Sequence, residues 1–568
     1  MSPLALRQQR IQVAGQRQLA LGRSRQRLMI GVLLFVALLA VVALRLLDLS
    51  MLQGAKPAGQ RDLFAALVPP RADIVDRHGA ELARTFDAYS IAVRPRDIVG
   101  DKRELAERIA AALPGMTYEK ALATLNHPGK YRYLQRRVLP TDAKRINAIG
   151  EPGILLEREP ERLYPNLGLA SHILGYTDID GKGAAGVERA FEERLSRDDM
   201  RGKPLVLSVD SRIQQAMEHE LAVAMEKFSA VGAAGIVLDV RTGEVLAMTS
   251  LPELNPNDAG KGSVEARFNR TTLGVYELGS TFKPFTVAMA MDAGTVRSMG
   301  QMYECPRGLR VGRFTITDTH PFGRRCSVAE IMQESSNIGT AQIARELGGA
   351  RQKAFLEKMG FLEPVSIELK ERGRTLSPGA NWGEIATMTV GYGHGIAVTP
   401  LHLATGYAAL FNGGVWRPAT ILKVGKDQPL APGRRVFTEQ TSYKMRALMR
   451  LVVTEGTGRK ADAPGYRVGG KTGTAEKVVN GRYKRNAVIN TFAGVFPMDD
   501  PRYVVVAMLD EPQPLKETYG FRTAGWNVAP VVSKVITRIG PVLGVVPDEQ
   551  REPNMAEVLP YIEPKAKP

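Results

Sequence analysis

Ser280 and Lys283 stand three positions apart in the stretch Tyr276–Phe285, YELGSTFKPF. On a helix that spacing puts a hydroxyl and an amine on one face, about a turn from each other, within reach for the amine to take the hydroxyl proton. A serine activated this way is a nucleophile for acyl transfer. Taken alone, the pair reads equally well as a capping serine beside a solvated lysine. Two later stretches carry the residue types the chemistry still lacks: Ser335-Ser336-Asn337, and Lys471-Thr472-Gly473-Thr474 within GGKTGTAEK. Singly, ESSNIG is an ordinary helix cap and Lys471 a solvated lysine on a turn. Together and in this order they supply a nucleophile, two amines, a second hydroxyl and an amide for one site.

The elements that must position these groups follow from the residues around them. Gly279 allows a sharp turn just before the serine, and Phe282, Phe285, Val287, Ala288, Ala290 and Met291 suit a buried helix. Pro284 falls in the first turn of that helix, where a missing N–H has no partner to lose. Gly469, Gly470 and Gly473 around Lys471 predict a strand that another segment approaches closely. From Lys203 the chain predicts a strand, a capped amphipathic helix and two strands around Arg241-Thr242-Gly243, the opening of an α/β (α+β) sandwich with a central antiparallel sheet. The segment GYRVGGKT also fits a phosphate-cradling loop letter for letter. Its continuation, GTAEKVVNGRYKRNAV, predicts strand-turn-strand rather than the helix such a loop must open.

A chain of 568 residues exceeds one core. Net charge is +17, but the charges are dispersed and no aromatic-interleaved basic cluster appears, which argues against nucleic acid and for an anionic envelope polymer or membrane. Residues 1–27 carry six arginines and no acid, and Leu28–Leu44 is an uncharged apolar run that Leu46 and Leu47 extend if Arg45 snorkels. No small-x-small cleavage site follows, so the run is expected to anchor the chain with its basic flank in the cytoplasm and the rest outside. The expected organisation is a basic tail (1–27), an anchor (28–47), a non-catalytic pedestal (48–202), a catalytic domain (203–545) and a polar tail (546–568). Within the pedestal, helices are predicted over Asp101–Ala112, Tyr118–Leu125 and Thr141–Ala148, with a strand over 132–138.

The three motifs in order, with the anchor, resemble the class B penicillin-binding proteins. Arg71, Ile74, Asp76, Arg77 and Gly79 match the start of that family's exported region, with Ala72 where glycine is usual. ERLYPNLGLASHILGY (161–176), Gly183, Gly186 and Glu188 match its pedestal. Leu278 stands where proline is usual before the nucleophile. The spacing from Ser335 to Lys471 is similar to the division (septal) type, with the elongation type as the alternative. What the resemblance implies is a serine-type peptidoglycan D,D-transpeptidase of the bacterial inner membrane, with its catalytic domain periplasmic. It needs no cofactor and is inhibited by beta-lactams. Ser280 is then the nucleophile, Lys283 the general base and Ser335 a proton relay. Asn337 orients the substrate amide, and Lys471 with Thr472, Gly473 and Thr474 faces the donor carboxylate. The backbone N–H groups of Ser280 and Thr474 would form the oxyanion hole. Partners implied are stem peptides, lipid-linked precursor glycan, a membrane-embedded glycan polymerase and other division proteins. A D,D-carboxypeptidase and an inactive division scaffold are the competing functions.

Cys305 and Cys326 lie between the first two motifs. Outside the cytoplasm such a pair is most simply a disulfide. With Asp318 and His320 between them, the four residues also make a possible zinc set, and two inert thiols are a third reading.

Overall fold

The computed structural model describes residues 25, 28–43, 71–200, 202–380, 382–425, 427–479 and 482–563. The chain divides into two compact units, Met1–Pro69 and Pro70–Pro568. In the first, residues 28–43 are helical with every side chain exposed. Among the described residues no helix is long and apolar enough to cross a membrane. The other residues of the expected tail and anchor, 1–24, 26–27 and 44–47, lie outside the described residues.

In the second unit, the pedestal folds from short capped pieces. The Asp101 side chain accepts from the N–H groups of Arg103 and Glu104 and starts the helix Lys102–Ala112. Thr117 does the same for Tyr118–Leu125. These helices pack on a sheet in the order 132–138, 89–93, 154–158. A second pedestal sheet reaches the larger domain, because Ile74–Val75 pairs in parallel with Leu205–Val206. Arg71 and Glu188, both read as family-matching positions, meet here: Arg71 Nε donates to Glu188 at 2.7 Å, and Arg162 Nε donates to its other oxygen at 2.7 Å. Glu188 is fully buried, so its charge is tolerable only with both guanidiniums in place.

The larger domain is built on a five-stranded antiparallel sheet. Its strands are β1 (Gly232–Asp239), β2 (Val245–Leu251), β3 (Gly469–Val479), β4 (Arg482–Phe496) and β5 (Tyr503–Asp510), in the spatial order β3-β4-β5-β1-β2. β5 reads YVVVAMLD with every residue buried, as a strand covered on both faces must. Val504, Val506 and Met508 face one core, and Val505, Ala507 and Leu509 face the other. The second core is closed by α1 (Ser211–Lys227), capped by Asp210, and by α6 (Ala524–Ile539). The first is filled by α2 (Lys283–Asp292), α3 (Asn337–Leu347), α4 (Pro400–Phe411) and α5 (Glu439–Thr454). Placed at the sheet edge, β3 keeps one side free to meet another segment. The polar tail, expected outside this domain, instead packs back on it: Arg450 pairs with Glu552 at 2.6 Å, Arg467 donates to the Asp548 carbonyl, and Ser327 Oγ donates to the Tyr561 carbonyl.

Candidate active site

Ser280 lies on a 3₁₀ turn, Gly279–Phe282, that runs directly into α2. The turn is rigid because its side chains are buried and its polar groups are spent. Thr281 Oγ1 donates to the Leu278 carbonyl at 2.8 Å, Tyr407 Oη donates to the Thr281 carbonyl at 3.0 Å, and Phe282, Phe285 and Phe361 meet edge to face. Ser280 itself is half-buried and accessible. Gly279 adopts φ +53°, a left-handed conformation that favours glycine.

The edge strand β3 comes in against this turn. A Cβ on Gly473 would sit 2.4 Å from the Leu278 carbonyl oxygen and 2.9 Å from Thr281 Cγ2, so only glycine lets the strand approach the turn that carries Ser280. Gly473→Ala is therefore expected to push β3 off the turn, costing about 1–3 kcal/mol of stability. Penicillin acylation should slow at least roughly tenfold, on the scale of a misplaced catalytic group. Thermal melting and stopped-time labelling check both, and labelling at the parent rate would contradict the close-approach argument.

Lys283 is fully buried at the first position of α2, three residues after Ser280. Its Nζ donates to Ser335 Oγ at 3.2 Å and to the Ser335 carbonyl. Ser335 is at φ +63°, a costly conformation for a residue with a side chain, and it points the carbonyl at the amine. Burial pushes the Lys283 amine well below the ordinary lysine range, the Lys471 charge adds to this, and the Asp318 carboxylate opposes it. Lys471 is also fully buried, and burial pushes it down to about 7 against a raising effect from Glu334. Its Nζ donates to the Thr472 carbonyl at 3.2 Å and lies 3.4 Å from the hydroxyls of Thr457 and Thr472, which bond each other at 2.9 Å. Thr474 Oγ1 accepts from the Ala524 N–H at 3.1 Å, which ties β3 to the start of α6.

The site so placed lies between α2, the start of α3 and β3: Ser335 bonds Lys283, the Lys471 charge acts on that amine, β3 meets the turn that carries Ser280, and Asn337 opens α3 two residues after Ser335. It holds a hydroxyl, a buried amine with a lowered proton affinity, a second hydroxyl on that amine, and a second cation, which is what acyl transfer through a serine requires. Thr457, in the stretch 454–458 beside the cleft, is a contact of Lys471 that its own motif did not announce.

The zinc reading of the cysteine arm is corrected. Cys305 and Cys326 are joined as a disulfide, and both carboxylate oxygens of Asp318 are taken by the start of α3. Among the described residues no group of three or more His, Cys, Asp or Glu is placed to hold a metal.

The chain matches the family described as penicillin binding protein transpeptidase domain over residues 233–535, and the penicillin-binding protein dimerisation domain over residues 66–206. It is 39% identical to a probable peptidoglycan D,D-transpeptidase FtsI of Caulobacter vibrioides, with 86% of this chain and 84% of that protein covered. It is 32% identical to peptidoglycan D,D-transpeptidase FtsI of Escherichia coli K12, covering 84% of each. It is 31% identical to stage V sporulation protein D of Bacillus subtilis, covering 91% and 86%. Among solved structures it is similar to penicillin binding protein 3 of Mycobacterium tuberculosis complexed with aztreonam, at 25% identity and a TM-score of 0.67, covering 85% of this chain and 98% of that one.

Proposed function

This chain belongs to the penicillin-binding protein transpeptidase family, and from that membership we infer a class B, serine-type peptidoglycan D,D-transpeptidase of the division (septal) type, cross-linking stem peptides and acylated by beta-lactams. The observation that carries the chemistry is the buried Lys283 amine on Ser335 Oγ, beside the nucleophile's turn and the edge strand.

The reaction follows from those positions. Lys283, its proton affinity lowered by burial, takes the proton as Ser280 Oγ attacks the penultimate D-alanine carbonyl of a donor stem. The oxyanion forms beside the backbone N–H groups of Ser280 and Thr474. Ser335 passes the proton from Lys283 to the departing D-alanine amine, the carbon–nitrogen bond breaks, and an acyl-serine remains. A side-chain amine of a neighbouring stem then attacks the ester, gives its proton back along the same route and releases Ser280, leaving one new peptide bond. Lys471, Thr472, Gly473 and Thr474 face the donor's terminal carboxylate, and Asn337 orients its amide. A penicillin, whose strained amide mimics the donor, acylates the same serine.

The apolar helix at 28–43, behind an arginine-rich stretch, supports an anchor over 28–47 with a cytoplasmic tail and a periplasmic catalytic domain. The division of the remainder at 203 belongs to the same reading. So do the division-machinery partners, a membrane-embedded glycan polymerase among them, and the lipid-linked glycan. Purified protein given a D-Ala-D-Ala stem peptide and an acceptor amine should yield the cross-linked product by mass spectrometry, with free D-alanine released in equal amount. Hydrolysed stem alone would make it a D,D-carboxypeptidase, and neither product would leave an inactive division scaffold.

A further inference from the structure

Asp318 belongs to none of the three motifs, yet the second of them converges on its carboxylate. Oδ2 accepts from Ser336 Oγ at 2.6 Å, while Oδ1 accepts from the backbone N–H of Asn337 and, at 3.1 Å, from that of Ile338. Ser336 is the cap of α3, its Oγ accepting from the Gly339 N–H at 2.9 Å, so the aspartate holds the residue that starts the helix. The next residue back completes the grip: the Thr317 carbonyl accepts Asn337 Nδ2 at 3.0 Å, which fixes the plane of that amide.

The arm that delivers Asp318 is built to hold its position. Met302–Cys305 pairs antiparallel with Arg324–Ser327, a small hairpin pairs 309–311 with 314–316, and the disulfide joins Cys305 to Cys326. Ile316, two residues before Asp318, packs on Ile338 and Ala341 of α3. The arm therefore grips the start of α3 by an apolar contact and by a carboxylate at once. Ser335, immediately before the pinned residues, is the one held at φ +63° with its carbonyl on Lys283. A strained residue keeps such a conformation only when its neighbours are tied down, and the bonds to Asp318 are those ties.

The charge matters as well as the geometry. The groups that act electrostatically on Lys283 or its surroundings are Lys471 from β3, His394 from the loop before α4, Glu334 through Lys471, and Asp318 from the arm. Of those acting on Lys283 itself, Asp318 is the one that favours the protonated amine.

We propose that Asp318 is a positioning residue for acyl transfer: it holds the start of α3, and with it Ser335 against Lys283, and places a negative charge that acts on that amine. This rests on the assignment of Ser280, Lys283 and Ser335 above. The test uses the full-length protein, with a fluorescent penicillin as probe, across pH. Asp318→Asn keeps the side chain's shape, retains an acceptor for the two N–H groups and removes the charge. Its acylation rate constant should fall about tenfold, and its ascending pH limb should move to lower pH, because Lys283 loses the carboxylate that favoured its protonated form. Asp318→Ala, lacking the acceptors too, should fall further, to roughly a hundredth of the parent. Rates within twofold of the parent for both variants overturn the proposal. A loss that tracks the fall in melting temperature and leaves the limb unmoved also overturns it, since that is what a merely structural aspartate gives. Ser280→Ala runs alongside: loss of labelling there, with Asp318 variants at the parent rate, faults the Asp318 role alone, whereas labelling that survives in Ser280→Ala faults the site and the proposal together.

Discussion

Ser280→Ala is expected to abolish covalent labelling by a fluorescent penicillin while the protein stays folded. The hydroxyl is the only atom lost, on a half-buried residue whose turn is held by Thr281, Phe282 and Tyr407 rather than by the serine itself. Stability should change by less than about 1 kcal/mol, a small shift in melting temperature for a domain this size. Labelling should fall to background, at least about 10⁴-fold, because no neighbouring hydroxyl can take the nucleophile's place. Ser335 is the obvious candidate for a substitute, but its Oγ is engaged by Lys283 Nζ at 3.2 Å and its backbone is held at φ +63°. Undiminished labelling of the alanine variant would mean the nucleophile is elsewhere.

Lys283→Met should move activity and stability in opposite directions. The amine is fully buried and, among the described residues, bonds Ser335 alone, so a neutral, apolar side chain of similar length removes a poorly solvated group from the core. Acylation, losing its base, should fall roughly 10²–10⁴-fold, whereas chemical denaturation should show equal or greater stability. The pH dependence has a definite sign. Lys283 has a lower proton affinity folded than unfolded, so between its folded value and the unfolded value of about 10.4 the unfolded chain binds more protons and the parent's stability rises with pH. The methionine variant lacks that part of the rise. The acylation rate of the parent should climb with pH as Lys283 loses its proton, with a midpoint below the ordinary lysine range. Loss of the Lys471 proton, with that amine held at about 7, lowers the rate separately by removing the charge that draws the carboxylate of the penicillin. A rate that climbs only near pH 10 would contradict a buried, neutral base.

The sequence carried the site further than it carried its supports. The meeting of Ser335 and Lys471 with Lys283 was legible because acyl transfer restricts residue types at fixed spacing, and Gly473 because only close approach explains a glycine beside a buried lysine. The three predicted pedestal helices and the strand over 132–138 came out within a residue or so, since Asp101 and Thr117 are side-chain caps that act locally. Ser280 was read at the start of the helix that carries Lys283, whereas the serine lies on the 3₁₀ turn ahead of it. Asp318 was legible only as a possible metal ligand, because its real partners come from a helix start 18 residues later and no local pattern announces them. The polar tail was read as outside the catalytic domain for a similar reason: Glu552 finds Arg450, which is distant in sequence.

The most direct measurement is peptide mapping by mass spectrometry of the full-length protein after brief exposure to benzylpenicillin. The account predicts one penicilloyl group per chain, on the peptide carrying Ser280 and on that serine, with the adduct absent from the Ser280→Ala variant and greatly slowed in Lys283→Met. An adduct on Ser335 or elsewhere, or a Lys283→Met variant acylated at the parent rate, would contradict it.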